Sequence, residues 1–306
     1  MLINKESGLS GFSVFMHEIG HAFYDSNIKG QDANRKREPF NYGGIMAKLN
    51  NRNRTAEQYC NTKNLAIRRA FHEKYSGSAG EFDRWVYNLL QIEAHDVVLE
   101  VGSGTGDLWE NRLTEGSFKH LVVSDLSDAM IEELMIKMGG RSDITVKKMD
   151  ICRLQFPDEV FTKVIANSML YHVKEISVAV SQVYRVLKKE GKFFVTTTSN
   201  NGLYSFLCDT LNEYCPNILD PSEITFSLEN GEKYLSMFSD VKKVIVKKEM
   251  IVTQVEDIVE YIYSMNNIID LCRIDKNELM AYYKKICNSK GEIMIPKCYG
   301  MFICTK

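Results

Sequence analysis

The middle third of the chain alternates short apolar runs with amphipathic helical segments, and this alternation constrains the fold more than any other feature. The predicted strands cover 96–101, 120–124, 144–149, 161–166 and 192–198, and the predicted helices between them cover 107–113, 130–138 and 176–187. Strands that alternate with helices are typical of a parallel sheet covered by helices. The sequence therefore predicts an α/β fold.

The two flanks depart from this alternation. Residues 1–75 are predicted to form a mainly helical, polar arm, and residues 76–306 the α/β domain. Residues 201–239 interrupt the pattern after the fifth strand, before strand-like runs at 241–251 and 298–304. The total length of 306 residues suits about two such units. The insert at 201–239 either walls a ligand pocket or serves packing alone.

Composition excludes several classes of protein. Apolar residues make up 44% and charged residues 25%, as in ordinary globular chains, and the net charge of −2 predicts no particular partner. The apolar runs are far shorter than the roughly 18 residues of a membrane span. The N-terminus lacks the pattern of a secretory signal. Eight cysteines without a Cys-x-x-Cys pair are predicted to be reduced thiols, so we expect a cytoplasmic protein with no membrane partner.

The most informative motif is the loop after the first predicted strand, Glu100-Val101-Gly102-Ser103-Gly104-Thr105-Gly106. Alternate glycines allow a sharp turn and let a ligand touch the main chain, and a helix over 107–113 would direct its free N–H groups at that ligand. Asp125, 23 residues after Gly102, can accept both hydroxyls of a ribose. Asp150, 25 residues further on, can meet an adenine amino group. Because the strands are predicted to be parallel, these residues should converge at one edge of the sheet.

Other glycine-rich nucleotide motifs do not fit. Asp107 breaks the dinucleotide fingerprint G-x-G-x-x-G, and no G-x-x-x-x-G-K-[ST] occurs. Together with Ser124-Asp125-Leu126-Ser127, Met149-Asp150 and Asn167-Ser168-Met169-Leu170-Tyr171-His172, the glycine loop resembles the successive motifs of class I S-adenosylmethionine-dependent methyltransferases. The resemblance is closest to the small-molecule branch typified by ubiquinone/menaquinone-pathway enzymes, and it covers roughly residues 80 to 200.

This resemblance implies a fold, a cofactor and a set of binding residues. The implied fold is a Rossmann-like, mostly parallel seven-stranded sheet sandwiched by helices, with the last strand antiparallel and the N-terminal arm as a lid. The implied cofactor is S-adenosyl-L-methionine, with S-adenosyl-L-homocysteine as its product. Carried over residue by residue, the implied contacts are Gly102, Ser103, Gly104 and Gly106 around the methionine portion, Glu100 placing that loop, Asp125 on the ribose, Leu126, Asp150 and Ile151 at the adenine, and Asn167 beneath the methionine portion.

Tyr171 and His172 follow the fourth predicted strand, near where the transferred methyl group should emerge. Histidine is the common general base near neutral pH, so His172 can take a proton from a hydroxyl acceptor or orient an amine. The alternative is that His172 caps the next helix or packs in a polar core. The Pro-Pro-Tyr pattern of enzymes that methylate exocyclic amines of bases is missing after Asn167. We therefore expect methyl transfer to nitrogen or oxygen of a small-molecule acceptor.

Other interpretations remain open. His17-Glu18-Ile19-Gly20-His21 matches the zinc motif H-E-x-x-H, but we interpret these polar residues as the solvated face of a helix and expect no metal. Residues 35–69 carry nine basic and two acidic side chains, which would suit an RNA methyltransferase, although we expect no nucleic-acid partner. A non-catalytic module that binds S-adenosylmethionine or S-adenosylhomocysteine is a further alternative. The N-terminal arm also permits a homodimer.

Overall fold

The computed structural model describes residues 62–77, 80–110, 112–114, 116–220, 224–266 and 269–306. The His17 and His21 motif lies outside these residues, as does the part of the basic segment from 35 to 61. The proposed boundary of the N-terminal arm therefore stays a prediction. Its described end, Thr62–Tyr75, is an α-helix that we call α1.

Seven strands form one sheet. They are β1 (Val97–Val101), β2 (His120–Asp125), β3 (Ile144–Lys148), β4 (Phe161–Asn167), β5 (Leu187–Thr198), β6 (Asp240–Val252) and β7 (Ile293–Thr305). Their order across the sheet is β3-β2-β1-β4-β5-β7-β6. The pairings from β3 to β5 are all parallel, whereas β7 runs antiparallel to both β5 and β6. The predicted Rossmann-like, mostly parallel seven-stranded sheet is confirmed.

Helices cover both faces of this sheet because successive strand residues point to opposite sides. Besides α1, the helices of the described residues are α2 (Glu81–Leu90), α3 (Asp128–Met138), α4 (Ile176–Val186), α5 (Leu203–Tyr214), α6 (Val255–Tyr263) and α7 (Lys276–Lys285). Val98 belongs to the buried cluster that contains Leu90 of α2 and Leu134 of α3. Its neighbour Leu99 belongs to the cluster on the opposite face, with Val180 of α4.

A third buried cluster joins α1, α5, α6 and α7 to the ends of β6 and β7; among its members are Phe71, Leu207, Ile258, Leu279, Met250 and Ile295. Helices α1 and α6 pack directly on each other. The rings of Phe71 and Tyr261 lie 4.9 Å apart, and the Tyr75 hydroxyl donates a hydrogen bond to the Asp257 carboxylate at 2.5 Å. The insert after β5 contributes α5 to this cluster, so α1 and the insert are parts of one helical layer.

The helix predicted over 107–113 is wrong. Only a single turn of 3-10 helix, Asp107–Trp109, follows the glycine loop, and Glu110 is already extended. The Trp109 indole is fully buried, and the Arg112 guanidinium donates to the Leu108 carbonyl at 2.8 Å, at the place where a continuing helix would supply a backbone N–H. The expected helix N-terminus is therefore not available to a ligand, which must be held by the loop and the strand ends.

Within the described residues, no helix combines the length and apolar character that a membrane crossing requires. The same residues contain no group of three or more His, Cys, Asp or Glu side chains arranged to hold a metal ion.

Candidate active site

A cavity of about 1220 Å³ opens at the carboxyl edge of the parallel strands. It begins at the glycine loop, passes the ends of β2, β3, β4 and β5, and continues beneath α1, α5 and α6 to β7. The sequence-predicted residues that line it are Glu100, Gly102, Ser103, Gly104, Asp125, Leu126, Asp150, Ile151, Asn167, Tyr171 and His172. The convergence that the parallel strands imply is therefore present in the structure.

The glycine loop has the left-handed backbone that favours glycine. Gly102 has a φ of 66°, and a Cβ atom there would lie 2.9 Å from the Met169 Cγ. Gly104 has a φ of 55° and faces open space. Gly106 does not line the cavity: a Cβ atom there would meet Leu134 at 2.8 Å and also Met138. Gly106 therefore seats the loop on α3, and Gly102 and Gly104 expose its main chain.

Asp125 at the end of β2 fixes the loop from the side. Its carboxylate accepts hydrogen bonds from the Gly104 N–H at 3.0 Å and the Ser127 N–H at 2.9 Å. Burial raises the pKa of Asp125, and these two backbone hydrogen bonds oppose the rise. Ser103 also connects the loop to β2, because its N–H donates to the Ser124 carbonyl at 2.9 Å.

Glu100 is buried beneath the same loop. The indole N–H of Trp109 donates to its carboxylate at 2.7 Å, and burial raises the pKa of Glu100 to about 7. The main chain here is also tied to β2, since the Ser124 hydroxyl donates to the Glu100 carbonyl at 3.0 Å. Glu100 thus links the start of the loop to Trp109 and to β2. The placing role that the family resemblance implies for it stays a prediction.

The remaining residues predicted to contact the cofactor lie at the ends of β2, β3 and β4. Asp150 caps a short 3-10 turn, Ile151–Arg153, by accepting from the Cys152 N–H at 3.0 Å. Asn167 accepts a hydrogen bond from the Thr196 hydroxyl at 2.6 Å, so its side-chain amide is oriented by β5. Leu126 follows Asp125 and is exposed at 38%. A large apolar side chain at that exposure beside a cavity is suited to cover one face of a planar ligand.

Tyr171 and His172 lie on a 3-10 turn, Leu170–His172, directly after β4. Their rings are 4.5 Å apart. Burial, with the nearby positive charge of Arg68, lowers the pKa of His172 to about 4. The imidazole is therefore neutral at physiological pH, which is the form that can accept a proton.

The helical layer adds residues that the sequence analysis missed. We call the part of the cavity beneath this layer the helix-side chamber; it is lined by Arg68 and His72 of α1, Ser76 directly after α1, Tyr261 of α6, and Lys297 and Tyr299 of β7. The first three are spaced by four, as residues on one face of a helix are. Lys297 is an even number of residues away from the buried residues Ile293, Ile295 and Met301, so this lysine lies at an inward position of β7. Both patterns are visible in the sequence.

Comparison with known proteins identifies the family. The family profile described as "Methyltransferase domain" matches residues 99–195, from β1 to β5. The chain is 30% identical over 167 residues to the ubiquinone/menaquinone biosynthesis C-methyltransferase UbiE of Zymomonas mobilis, a match that covers 51% of this chain and 68% of that protein. The chain belongs to the class I S-adenosylmethionine-dependent methyltransferases. This membership confirms the family and the cofactor that the motifs indicate.

A further relative and a solved structure are similar to this methyltransferase. It is 26% identical over 127 residues to a demethylmenaquinone methyltransferase of Lactobacillus johnsonii, covering 40% of this chain. The crystal structure of the YcgJ protein from Bacillus subtilis superposes with a TM-score of 0.52 at 16% identity, over 73% of this chain and 98% of that one. The methyltransferase spans about half the length of several curated relatives, with 52%, 43% and 51% of three of them covered.

The histidine of the helix-side chamber gives this methyltransferase a predictable pH dependence of stability. Burial, with the charges of Lys297 and Arg68, lowers the pKa of His72 from 6.5 to about 4. Between these values the unfolded chain binds a proton that the folded chain does not, so stability is lost as the pH falls through about 6.5. His72→Gln removes this loss. When the pH is lowered from about 7.5 to about 5, the unfolding free energy of the variant should therefore rise by about 1–2 kcal/mol relative to that of the wild type.

Urea unfolding of wild type and His72→Gln at the two pH values measures this effect. His95→Gln is the matched control because His95 is exposed. Glu100 acts with the opposite sign: its folded pKa of about 7 gives stability that is lost as the pH rises. The comparison is therefore made between variants at each pH, and an identical pH dependence for wild type and His72→Gln would contradict the assignment.

Proposed function

We propose that this methyltransferase holds S-adenosylmethionine along the carboxyl edge of the sheet and transfers its methyl group to oxygen or nitrogen of a small molecule in the helix-side chamber. The observation that carries the proposal is the continuity of the cavity. The glycine loop and Asp125 at one end share one space with His172 and the helix-side chamber at the other. A cofactor and an acceptor can therefore be in direct contact within one cavity.

The residues at the sheet edge suit the chemistry of each part of the cofactor. We assign the methionine portion to the exposed main chain at Gly102, Ser103 and Gly104, because backbone N–H and carbonyl groups can bind its ammonium and carboxylate. The Asp125 carboxylate suits the two ribose hydroxyls, because each of its oxygens accepts one backbone N–H and keeps a lone pair for a further donor.

The adenine end is assigned to Leu126, Asp150 and Ile151. An apolar side chain exposed beside the cavity can cover the ring, and a carboxylate can accept from its amino group. Asn167, held by Thr196, is assigned to the floor of the methionine portion. The fit is sufficient for S-adenosylmethionine, which supplies an electrophilic methyl group when bound.

The work left to the protein is positioning, exclusion of water and removal of one proton. Helix α1 covers the chamber and is tied to the cofactor loop, since the Arg69 guanidinium donates to the Asp107 carboxylate. The neutral imidazole of His172 can accept the proton of an acceptor hydroxyl or amine. Tyr171 beside it contributes a ring that can pack against the acceptor.

The identity of the atom that receives the methyl group is the most specific part of this proposal. Relatives such as UbiE are named as C-methyltransferases, so carbon is the competing acceptor atom. We favour oxygen or nitrogen because His172 lies at the exit of β4, where a proton released from an O–H or N–H group would be taken up directly. All three acceptor atoms require the same cofactor site.

The test is an acceptor screen with isotope-labelled S-adenosylmethionine. The purified protein is incubated with a small-molecule extract, and the chemical shift of the transferred methyl group is read by NMR. A methoxy or N-methyl signal is the expected result, and a C-methyl signal would overturn the choice of acceptor atom. Transfer of label to RNA and not to small molecules would overturn the small-molecule acceptor.

A further inference from the structure

The arginine beside the cofactor loop is paired with carboxylates, whereas two cations of the helix-side chamber form no ion pair with any described residue. Near the loop, Arg69 pairs with Glu73 and Asp107. At the other rim, Lys248 pairs with Glu81. The remaining cations of the helix-side chamber are Arg68 and Lys297.

Neither of these two cations forms an ion pair within the described ranges. The Arg68 guanidinium donates to the Ser264 carbonyl at 3.1 Å, which uses one of its five N–H groups. The Lys297 ammonium lies 5.3 Å from the centre of the Tyr299 ring. Burial, with the neighbouring Lys248, lowers the pKa of Lys297 to about 8. The charge of Glu81 acts on Lys297, but Glu81 already pairs with Lys248. Within the described residues, two positive charges therefore face the chamber and neither has a carboxylate of its own.

The two charges are close enough to act on the same groups. Both oppose protonation of His72, and Arg68 also opposes protonation of His172. The imidazoles consequently stay neutral, so they add hydrogen-bonding capacity to the chamber and no charge. A cationic amine placed here would meet only repulsion from the side chains of Arg68 and Lys297.

Two polar atoms of the chamber wall are also buried and have no hydrogen-bond partner among the residues that the structure describes. They are the Nδ1 of His72 on α1 and the hydroxyl oxygen of Ser76, directly after the end of α1. Buried polar groups are nearly always paired in native proteins, so an unpaired set that lines a cavity points to a ligand that supplies the partners. A neutral imidazole and a hydroxyl can each donate one hydrogen bond.

We propose that the methyl acceptor carries an anionic oxygen group, a carboxylate or a phosphate, which binds between Arg68 and Lys297 and accepts hydrogen bonds from His72 and Ser76. This inference rests on the proposed function, because it names the class of molecule that the helix-side chamber takes. The anionic group anchors the acceptor by charge-assisted hydrogen bonds, while the group to be methylated points toward His172.

Matched pairs of small aromatic molecules test the charge requirement without knowledge of the natural acceptor. The probes are benzoate against benzamide, phenyl phosphate against phenol, and benzylamine as the cation. Binding to the wild-type protein saturated with S-adenosylhomocysteine is measured by saturation-transfer NMR. We expect an anion to bind at least about tenfold more tightly than its neutral partner, and benzylamine to bind less tightly than either. Preference for benzoate identifies a carboxylate acceptor, and preference for phenyl phosphate a phosphate.

Variants locate the binding site. Lys297→Met is expected to weaken anion binding at least about tenfold, whereas Lys297→Arg keeps it within about threefold. Lys247→Met is the matched control, because Lys247 lies on the neighbouring strand β6 and is exposed. Equal binding of anions and neutral partners by the wild type, or no binding of any probe, would overturn the inference.

The affinity for S-adenosylhomocysteine, measured on the same samples, separates this inference from the proposed function. If S-adenosylhomocysteine binds and the anions show no preference, only the anionic acceptor is wrong. If S-adenosylhomocysteine does not bind, the proposed function fails and the inference fails with it.

Discussion

Asp125→Ala is expected to weaken the binding of S-adenosylhomocysteine at least about 100-fold. Two hydrogen bonds to a charged acceptor, each worth about 1.5–3 kcal/mol, would be lost, and about 3 kcal/mol corresponds to roughly 100-fold in the dissociation constant. The same carboxylate braces the Gly104 and Ser127 N–H groups, so the loop also loses support. Calorimetric titration of wild type and variant measures the change.

Asp128→Ala is the matched control for this variant. Asp128 is three residues away and exposed, and its carboxylate pairs with Lys148 at 2.6 Å on the surface. Asp125→Asn should fall between the wild type and Asp125→Ala, because the amide keeps one acceptor oxygen. Binding by Asp125→Ala within about threefold of the wild type would contradict the assignment of Asp125 to the ribose.

His172→Ala is expected to lower kcat about 100- to 10,000-fold, the range that a positioned general base contributes. The affinity for S-adenosylhomocysteine should stay unchanged, because His172 lies beyond the end of β4 on the acceptor side of the site. Single-turnover transfer of labelled methyl, with an acceptor found in the screen, measures the chemical step. His95→Ala, which removes an exposed imidazole, serves as the control.

The pH profile separates a proton acceptor from a residue that only shapes the chamber. Since the pKa of His172 is about 4, its imidazole stays in the accepting form as the pH falls toward about 5. The wild-type kcat should therefore be flat with respect to this group from neutral pH down to about 5. Unchanged turnover in His172→Ala would remove this residue from the mechanism.

The sheet and its cofactor edge could be predicted because their signals are local. A buried strand that ends in alternate glycines, followed by strands that end in Asp125 and Asp150, fixes the side of the sheet on which a ligand lies. The nearly continuous burial of β1 and β4 explains why these strands appear in the sequence as short, uninterrupted apolar runs. The contacts of the individual cofactor-binding residues stay a prediction.

The region after the glycine loop could not be predicted, because long-range contacts override its local pattern. Asp107 to Leu113 has ordinary helical composition, but burial of Trp109 against Glu100 and the bonds from Arg112 stop the helix after one turn. The start of β7 was missed for a similar reason. Pro296 argues against a strand, yet it lies where β7 pairs with β6 and beyond the residues that pair with β5.

The helix-side chamber was missed because its residues come from distant parts of the chain. His72 on α1 and Lys297 on β7 meet only after the helical layer packs on the sheet edge, and no local rule brings them together. The signals were present but weak. They consist of polar residues spaced by four on α1 and a lysine at an inward position of β7. Either pattern alone is common on a protein surface.

Calorimetric titration of the wild-type protein with S-adenosylhomocysteine tests the central claim most directly, because every assignment depends on the cofactor site between the glycine loop and Asp125. We expect binding at a one-to-one ratio with a dissociation constant in the range of about 1–100 μM. No detectable binding would contradict the cofactor site and, with it, the proposed methyl transfer.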